Sequence, residues 1–514
     1  MLRADVVIIG AGHNGLVAAN LLASAGLSVT VVEAMAEVGG ACRTEYPFVK
    51  APGVGQSTGA YLLGLMPPEL MAMLGITLPL IARDPHYFLP TTGARYLLFG
   101  SDERRNADQI AREFSAADAR AHLMLQEELS QLREDLAPSW LMLPTGLEEV
   151  ASRYVRPALR RAFLELCRGS VSDYLGRFGF KSELLEAMYA VTDGLTGFHG
   201  DADTPGSGMN FLAHNMCRLP GSNGTWMVVR GGMGSVTQAL AEAAIRAGVT
   251  VLRNTRVDHV EVERGVAIGV VTDAGDRVAA DIVVSNADPF TTRGLLADAC
   301  PPALASWTES HALTGVSMKV NLCLRDLPRF SCLRERHGQH GATIHLLPEN
   351  DCKASLSRAF AACAEGRLPD QPSIEWYIHT TLDPSLRDER GRHSSALFVQ
   401  WVPYALAEST WEAEEAGYVK HLLEICDRFA PGTSDLIVDS FVLTPPAIES
   451  HFGITGGHIH HLDNRYGFDE RFPTRLPIDG LYACGAGCHP AGSVIGAAGH
   501  NAATAVLEDL AIAS

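Results

Sequence analysis

The sequence contains no run of about 18 uncharged apolar residues, the length a helix needs to cross a bilayer, although 47% of its residues are hydrophobic. It has no basic block, and its net charge of −18 argues against a nucleic-acid partner. The 11 cysteines never take the paired spacing of a zinc site and so fit reduced thiols in a cytoplasmic protein. With a first strand expected to begin by Asp5, no signal or transit segment is expected. At 514 residues the chain exceeds one compact core, so two intertwined domains of roughly 200 to 250 residues each are expected.

What the sequence does contain is concentrated at its beginning. Residues 5–33 read DVVIIGAGHNGLVAANLLASAGLSVTVVE: an apolar strand, a G-x-G-x-x-G turn, a helix ended by Gly26, a second apolar strand and an acid. Gly10 permits the sharp exit from the strand, Gly12 removes the side chain that would hold a diphosphate away from the backbone, and Gly15 lets the helix lie against the sheet. The helix N-terminus then receives the diphosphate. Glu33 can accept both hydroxyls of an adenosine ribose and would repel a 2′-phosphate, which favours FAD or NAD over NADP. The segment VGGACRTE follows, with Gly39, Gly40, Arg43 and Thr44. A second glycine turn with a basic residue suits a flavin dinucleotide, whose diphosphate the arginine can meet from the side opposite the helix. Taken alone, the same residues also read as a surface turn with a solvated arginine.

Residues 53–82 are apolar, nearly uncharged and interrupted by Pro67, Pro68 and Pro79. They could line a substrate tunnel, form buried core around the cofactor, or lie on a membrane surface as a peripheral contact. A strand is expected at 95–99, a long amphipathic helix at 108–136, and further helices at 147–167 and 182–190, together forming a cap. Residues 226–255 repeat the glycine-turn, helix and strand order. Their RGGMG lacks the G-x-G-x-x-G spacing and their strand ends without an acid, so no NAD(P)H site is expected and electrons must leave for oxygen, a quinone or another carrier. A β-meander over 255–284 ends in SNAD, with Val257 placed to pair its backbone with an adenine. Strands at 316–324, 373–380 and 396–403 with a helix at 412–429 make a mixed second domain, and the polar stretch around 349–353, Cys352 and Cys363 reads as surface loop. GGHIHHLD at 456–463 leads into a histidine-rich segment. A strand at 481–484, the loop GAGCHPAGSVIGAAGHNAATAV and a helix from about Ala497 close the chain, and that loop can aim a helix dipole at the flavin.

VVIIGAGHNGLVAA at the start, RGGMGSVTQAL and SNADP in the middle, and GGHIHHLD with GAGCHPAGSVIGAAGHNAA at the end resemble, in order, the phytoene desaturase and FAD-dependent carotenoid ketolase-like family. That family includes the pyridine-nucleotide-disulfide-oxidoreductase-domain proteins. The resemblance spans essentially the whole chain and is specific at its two ends. It implies an α/β fold: a glutathione-reductase-like Rossmann FAD domain (residues 1–75, 221–290 and 465–514) with an inserted mixed α+β substrate domain (76–220 and 291–464). It also implies FAD contacts from Gly10, Gly12, Gly15, Glu33, Gly40, Arg43, Val257, Gly485, Ala486, Val494 and Ile495.

The expected chemistry is hydride abstraction from a C–H of an apolar or partly apolar small molecule to flavin N5, of desaturase or dehydrogenase type. A base, if one is needed, is expected from His461, with His460 or His489 as substitutes. The competing reading makes them structural histidines at a domain junction. His458, His460 and His461 are not expected to bind metal, because adjacent residues of an extended segment face opposite ways. Alternatives of the same fold are an amine oxidase that forms C=N and releases peroxide, a non-redox isomerase using reduced FAD, and a flavin-free binding protein resembling Rab GDP-dissociation inhibitors.

Overall fold

The apolar run at residues 6–9 becomes the inner half of strand Leu2–Ile9, flanked in parallel by Val29–Val32 and Arg277–Ser285 in the computed structural model, which describes residues 2–513. Thr250–Leu252 extends this sheet beyond Val29–Val32. Arg277–Ser285 divides its partners: its first residues pair antiparallel with Val266–Thr272, which leads to Val257–Glu263, and its last residues pair in parallel with Leu481–Ala483. Strand alternation sends Val6 and Ile8 to a core beneath the helices His13–Ser24 and Gly234–Arg246, and Val7 and Ile9 to a core beneath the meander. Both faces are covered there, which is why residues 6–9 are uninterruptedly apolar.

The helix His13–Ser24 is held by contacts that only glycine allows. A Cβ on Gly15 would lie 2.3 Å from the Gly10 carbonyl oxygen, and one on Gly499 would lie 2.1 Å from that of Asn14. The first contact locks helix to strand, and the second locks the C-terminal helix Ala497–Ala513 to the same helix. Asn286, from the SNAD segment, donates its amide to the Gly10 carbonyl at 3.2 Å and so ties the meander to the turn.

A second sheet has the order Ile437–Leu443, Ser317–Leu324, His393–Gln400, Ser373–Tyr377, Thr343–Leu346, Tyr87–Pro90, Tyr96–Phe99. Val320, Leu322, Ile374, Trp376, Leu397 and Val399 pack against the helix Trp411–Phe429. The alternate residues Lys319, Glu375, Tyr377 and Phe398 face the other way, toward a central cavity. A helical layer over residues 103–214 joins this sheet to the C-terminal loop through Leu125, Phe163, Phe211, Trp401 and Ile495.

Several local expectations are corrected. The long helix expected at 108–136 is two helices, Glu103–Glu113 and Ala116–Leu136, because Ser115 takes an extended conformation and its hydroxyl caps Asp118 N–H. The helix expected at 147–167 breaks into Leu147–Arg153 and Arg160–Arg168 around Pro157. Cys352 and Cys363 are not in a surface loop: both are buried on the helix Cys352–Ala364. For the apolar segment 53–82 the buried-core reading holds and needs no correction: Leu62, Leu63, Leu65, Met66 and Leu70 are buried, and Met73 is its exposed large apolar side chain. Replacing Gly15 by Ala should cost about 1–3 kcal/mol by overpacking the helix–strand contact. A denaturant titration will show a lower midpoint, and an unchanged one contradicts the role of that contact.

Candidate active site

A cavity of about 430 Å³ runs from the glycine turn to the second sheet. At the first end Gly12 N-caps the helix His13–Ser24 with no side-chain cap, leaving the N–H groups of the first turn for an anion. Glu33 is buried, and each carboxylate oxygen is fixed by a backbone N–H: Oε2 accepts from Ala11 at 2.7 Å and Oε1 from Met35 at 2.8 Å. A carboxylate has about four acceptor positions, so two remain for a pair of ribose hydroxyls. Arg43 is pinned to the cavity wall. Its Nε lies 3.3 Å from Glu45, a terminal nitrogen lies 2.9 Å from His451 Nε2, and its guanidinium sits 5.0 Å above the Phe452 ring. Burial pushes Glu45 upward, but hydrogen bonds from His451 and Thr58 and the charge of Arg43 outweigh it and leave Glu45 below the usual carboxylate range.

The second glycine turn offers no comparable site. Gly231 N–H donates to Asp383 at 2.6 Å, Gly232 N–H to Val229 at 2.9 Å, Met233 N–H to the Ser57 hydroxyl at 3.0 Å and Gly234 N–H to the Thr44 hydroxyl at 3.0 Å. Four donors that could receive a phosphate are spent on the fold itself.

Of the residues expected at the site, Gly10, Gly12, Glu33, Gly40, Arg43, Val257, Ala486, Val494, His460 and His461 line this one cavity. Four others do not. Gly15 packs on Gly10, and a Cβ on Gly485 would lie 2.4 Å from the Ala287 carbonyl oxygen. Ile495 is buried in the core of the helical layer. His489 turns into that layer as well, with Nε2 3.0 Å from the Ser139 carbonyl and its ring 5.8 Å from that of Phe468. It is a packing residue and not part of the cavity wall.

The cavity wall also carries polar atoms that the fold leaves unpaired. His13 Nε2, Asn14 Oδ1, His460 Nδ1 and His461 Nδ1 are buried without a hydrogen-bond partner. Each such atom costs about 1–3 kcal/mol, and four among the residues lining one cavity fit a polar ligand such as a dinucleotide. Burial lowers the pKa of His13 to about 4, with His461 adding to the effect, and lowers those of His460 and His461 as well. Burial therefore keeps all three imidazoles neutral at neutral pH. Among the described residues no cluster of three or more His, Cys, Asp or Glu side chains could hold a metal ion.

The far wall went largely unread in the sequence, apart from Tyr61 in the segment 53–82. It consists of Tyr61, Thr192, Asp193, Thr196, His214 and Trp226 with Lys319, Glu375, Tyr377 and Phe398. Lys319 donates to the Ser57 and Gly59 carbonyls at 2.5 and 2.7 Å, and burial holds its amine well below the usual lysine range. Burial raises Asp193 and Glu375 to about 7 each. The available signal was a lone charge within an otherwise uncharged strand, Lys319 in VSMKVNLCL and Glu375 in SIEWY. The expected apolar pocket is therefore a mixed one. Replacing Glu33 by Ala leaves the Ala11 N–H buried and unpaired and removes both ribose acceptors, so FAD should be held about tenfold or more weakly. Flavin retained after ultrafiltration measures this, and full retention contradicts the assignment.

A model of the family described as flavin containing amine oxidoreductase matches residues 15–321. Pyridine nucleotide-disulfide oxidoreductase domain-containing protein 2 of Rattus norvegicus is 34% identical, over 98% of this chain and 94% of its own length. A limonene dehydrogenase chain of Castellaniella defragrans is 27% identical, over 99% and 95%. The solved structure of an oxidoreductase from Methanosarcina mazei superposes with a TM-score of 0.62 at 16% identity, covering 99% of this chain and 100% of that one. The glycine turn, the buried acid Glu33 beside it and the matched family together make this chain a member of the flavin containing amine oxidoreductase family, an FAD-dependent oxidoreductase.

Proposed function

We propose that this protein is an FAD-dependent dehydrogenase that removes a hydride from a C–H bond of a small, partly apolar substrate, its electrons then passing to oxygen or a quinone. The observation that carries this reading is one shared cavity: residues of the glycine turn and a wall built by the second sheet enclose the same space. FAD, when bound, supplies the hydride acceptor. Gly10, Gly12, Glu33, Gly40, Arg43 and Val257 would hold it by its ribose, diphosphate and adenine.

The chain's own residues do the rest. Met318, Phe398, Leu443, Ile448, Ile454 and Ile459 line the cavity with apolar surface that admits a hydrocarbon portion and keeps water out. His461 lines the cavity, its Nδ1 has no hydrogen-bond partner, and as a neutral imidazole it is the base for the proton lost beside the oxidised carbon. The name of the limonene dehydrogenase relative supports oxidation of a largely apolar molecule. The buried acids Asp193 and Glu375 favour a substrate with a polar group over a pure hydrocarbon. The family description leaves room for a C–N bond as the one oxidised, which peroxide release with amines would detect.

Anaerobic mixing with candidate substrates tests the reading. Amphipathic molecules should bleach the yellow absorption, and bleaching by hydrocarbons alone would overturn the partly polar assignment. Replacing His461 by Ala should lower the bleaching rate by about 10² or more while leaving flavin content intact. Full activity in that variant removes His461 from the reaction.

A further inference from the structure

The SNAD segment at 285–288 follows from the strand Arg277–Ser285, and its Asn286 ties the Gly10 turn. Asp288, two residues on, lines the cavity and is 2% exposed. Its carboxylate collects five donors. Oδ1 accepts from the Phe290 and Thr291 N–H groups at 2.9 and 2.8 Å and so caps the helix Pro289–Leu296. Oδ2 accepts from the Thr291 hydroxyl at 2.9 Å and from the N–H and hydroxyl of Thr455 at 3.2 and 3.0 Å. A helix cap needs only the first pair. The bonds to Thr455 reach 167 residues along the chain, to the root of the histidine segment 456–463.

That segment is clamped by close backbone contacts. A Cβ on Gly457 would lie 2.1 Å from the Pro445 carbonyl oxygen, and one on Gly492 would lie 2.3 Å from that of His460. Next to them His461 donates its N–H to the His458 carbonyl at 2.8 Å and takes a left-handed backbone conformation, with φ of 60°. Residues other than glycine seldom adopt it, and they keep it where the surroundings enforce it, often at sites of function.

His461 lines the same cavity as Asp288, and its Nδ1 is buried without a partner. The charged and titratable groups that face it are Asp288, His458, Arg471 and His13. Burial lowers its pKa most; Asp288 is the largest charge acting on it and raises it, and His458 and Arg471 lower it. Arg471 is spent on the carbonyls of Tyr466, Ala486 and Cys488 and on the Asn464 side chain. His460 is placed differently. The acid that faces it, Asp463, is already paired with His458 and Arg465, at 3.4 and 3.2 Å.

We propose that Asp288 is a positioning residue for the oxidation: it holds the histidine segment to the cavity wall and supplies the negative charge that the His461 imidazolium faces once the proton has moved. This assignment deepens the proposed function and rests on it, since it names the group that sustains the base of that reaction. The substrate loses a hydride to FAD and, from the neighbouring atom, a proton to His461 Nδ1, so one double bond replaces two bonds to hydrogen. The ring thereby gains a positive charge inside the protein, where an unopposed charge is costly and a fixed carboxylate offsets the cost. The base acts in its neutral form, so the rate falls as pH drops through the His461 pKa. Removing the carboxylate weakens the base, which moves that fall to lower pH and slows the reaction above it.

The test follows the histidine Cε1 carbons of the flavin-loaded protein by NMR between about pH 4 and 8, with His13→Gln and His461→Gln identifying the two signals. In the unmodified protein His461 should titrate above His13, which burial takes to about 4. A His461 that titrates no higher than His13 overturns the pairing without any variant. Asp288→Asn, which keeps an acceptor for the helix cap, should lower the pH at which His461 titrates by about 1 or more while retaining its flavin. Its flavin should be reduced about tenfold more slowly, read with whichever of hexan-1-ol, geraniol and n-hexylamine bleaches the unmodified protein fastest. Asp288→Glu should restore part of both. A less stable Asp288→Asn protein in which His461 titrates as before makes Asp288 a helix cap alone and overturns the proposal. A lowered titration with an unchanged reduction rate overturns its part in the reaction. A protein whose flavin no amphipathic molecule reduces would instead overturn the proposed function, and the titration would still decide whether Asp288 and His461 are paired.

Discussion

The contact of Gly15 with the Gly10 carbonyl sets the geometry on which the site depends. Because no side chain separates them, the helix His13–Ser24 starts directly above the end of strand Leu2–Ile9. Its uncapped N-terminus then opens into the cavity. Glu33 sits where it can grip the Ala11 and Met35 N–H groups and still face that space. The C-terminal helix comes close to the same helix through Gly499, so both ends of the chain bear on one turn. The second glycine segment shows the contrast: similar residues, but with every N–H of residues 231–234 hydrogen-bonded within the protein.

One physical effect, loss of water, acts oppositely on the two kinds of polar group in the cavity. Burial keeps His13, His460 and His461 uncharged and pushes Asp193 and Glu375 up to about 7. The cavity therefore holds less charge than its residues suggest, and a ligand that brings charge determines which groups ionise. Lys319, buried on two backbone carbonyls, follows the same rule.

Legibility in the sequence followed the range of the interactions. The glycine turn, its helix and Glu33 could be read because each residue type answers a local backbone or ligand requirement within 29 residues, 5–33. The meander and the C-terminal strand and helix were equally plain from their alternation and glycines. Strand Thr343–Leu346 went unread because it is short and becomes a strand by pairing with the distant Tyr87–Pro90 and Ser373–Tyr377. The break at Ser115 needed the competition between a cap and a continuous helix to be resolved in its favour. Glu375 and Asp193 meet only through tertiary packing, so neither could be assigned to the site from its neighbours in the chain. His489 went the other way: a histidine in a glycine-rich loop read as chemistry, and packing took it into the helical layer.

The central claim is that this chain builds one dinucleotide cradle and that FAD fills it. The most direct measurement is the nucleotide content of the purified protein, by extraction and chromatography, together with equilibrium binding of NADPH and NADH. The account predicts one FAD per chain and no binding of either nicotinamide nucleotide. A flavin-free folded protein that takes up no FAD, or a second nucleotide bound per chain, would contradict it.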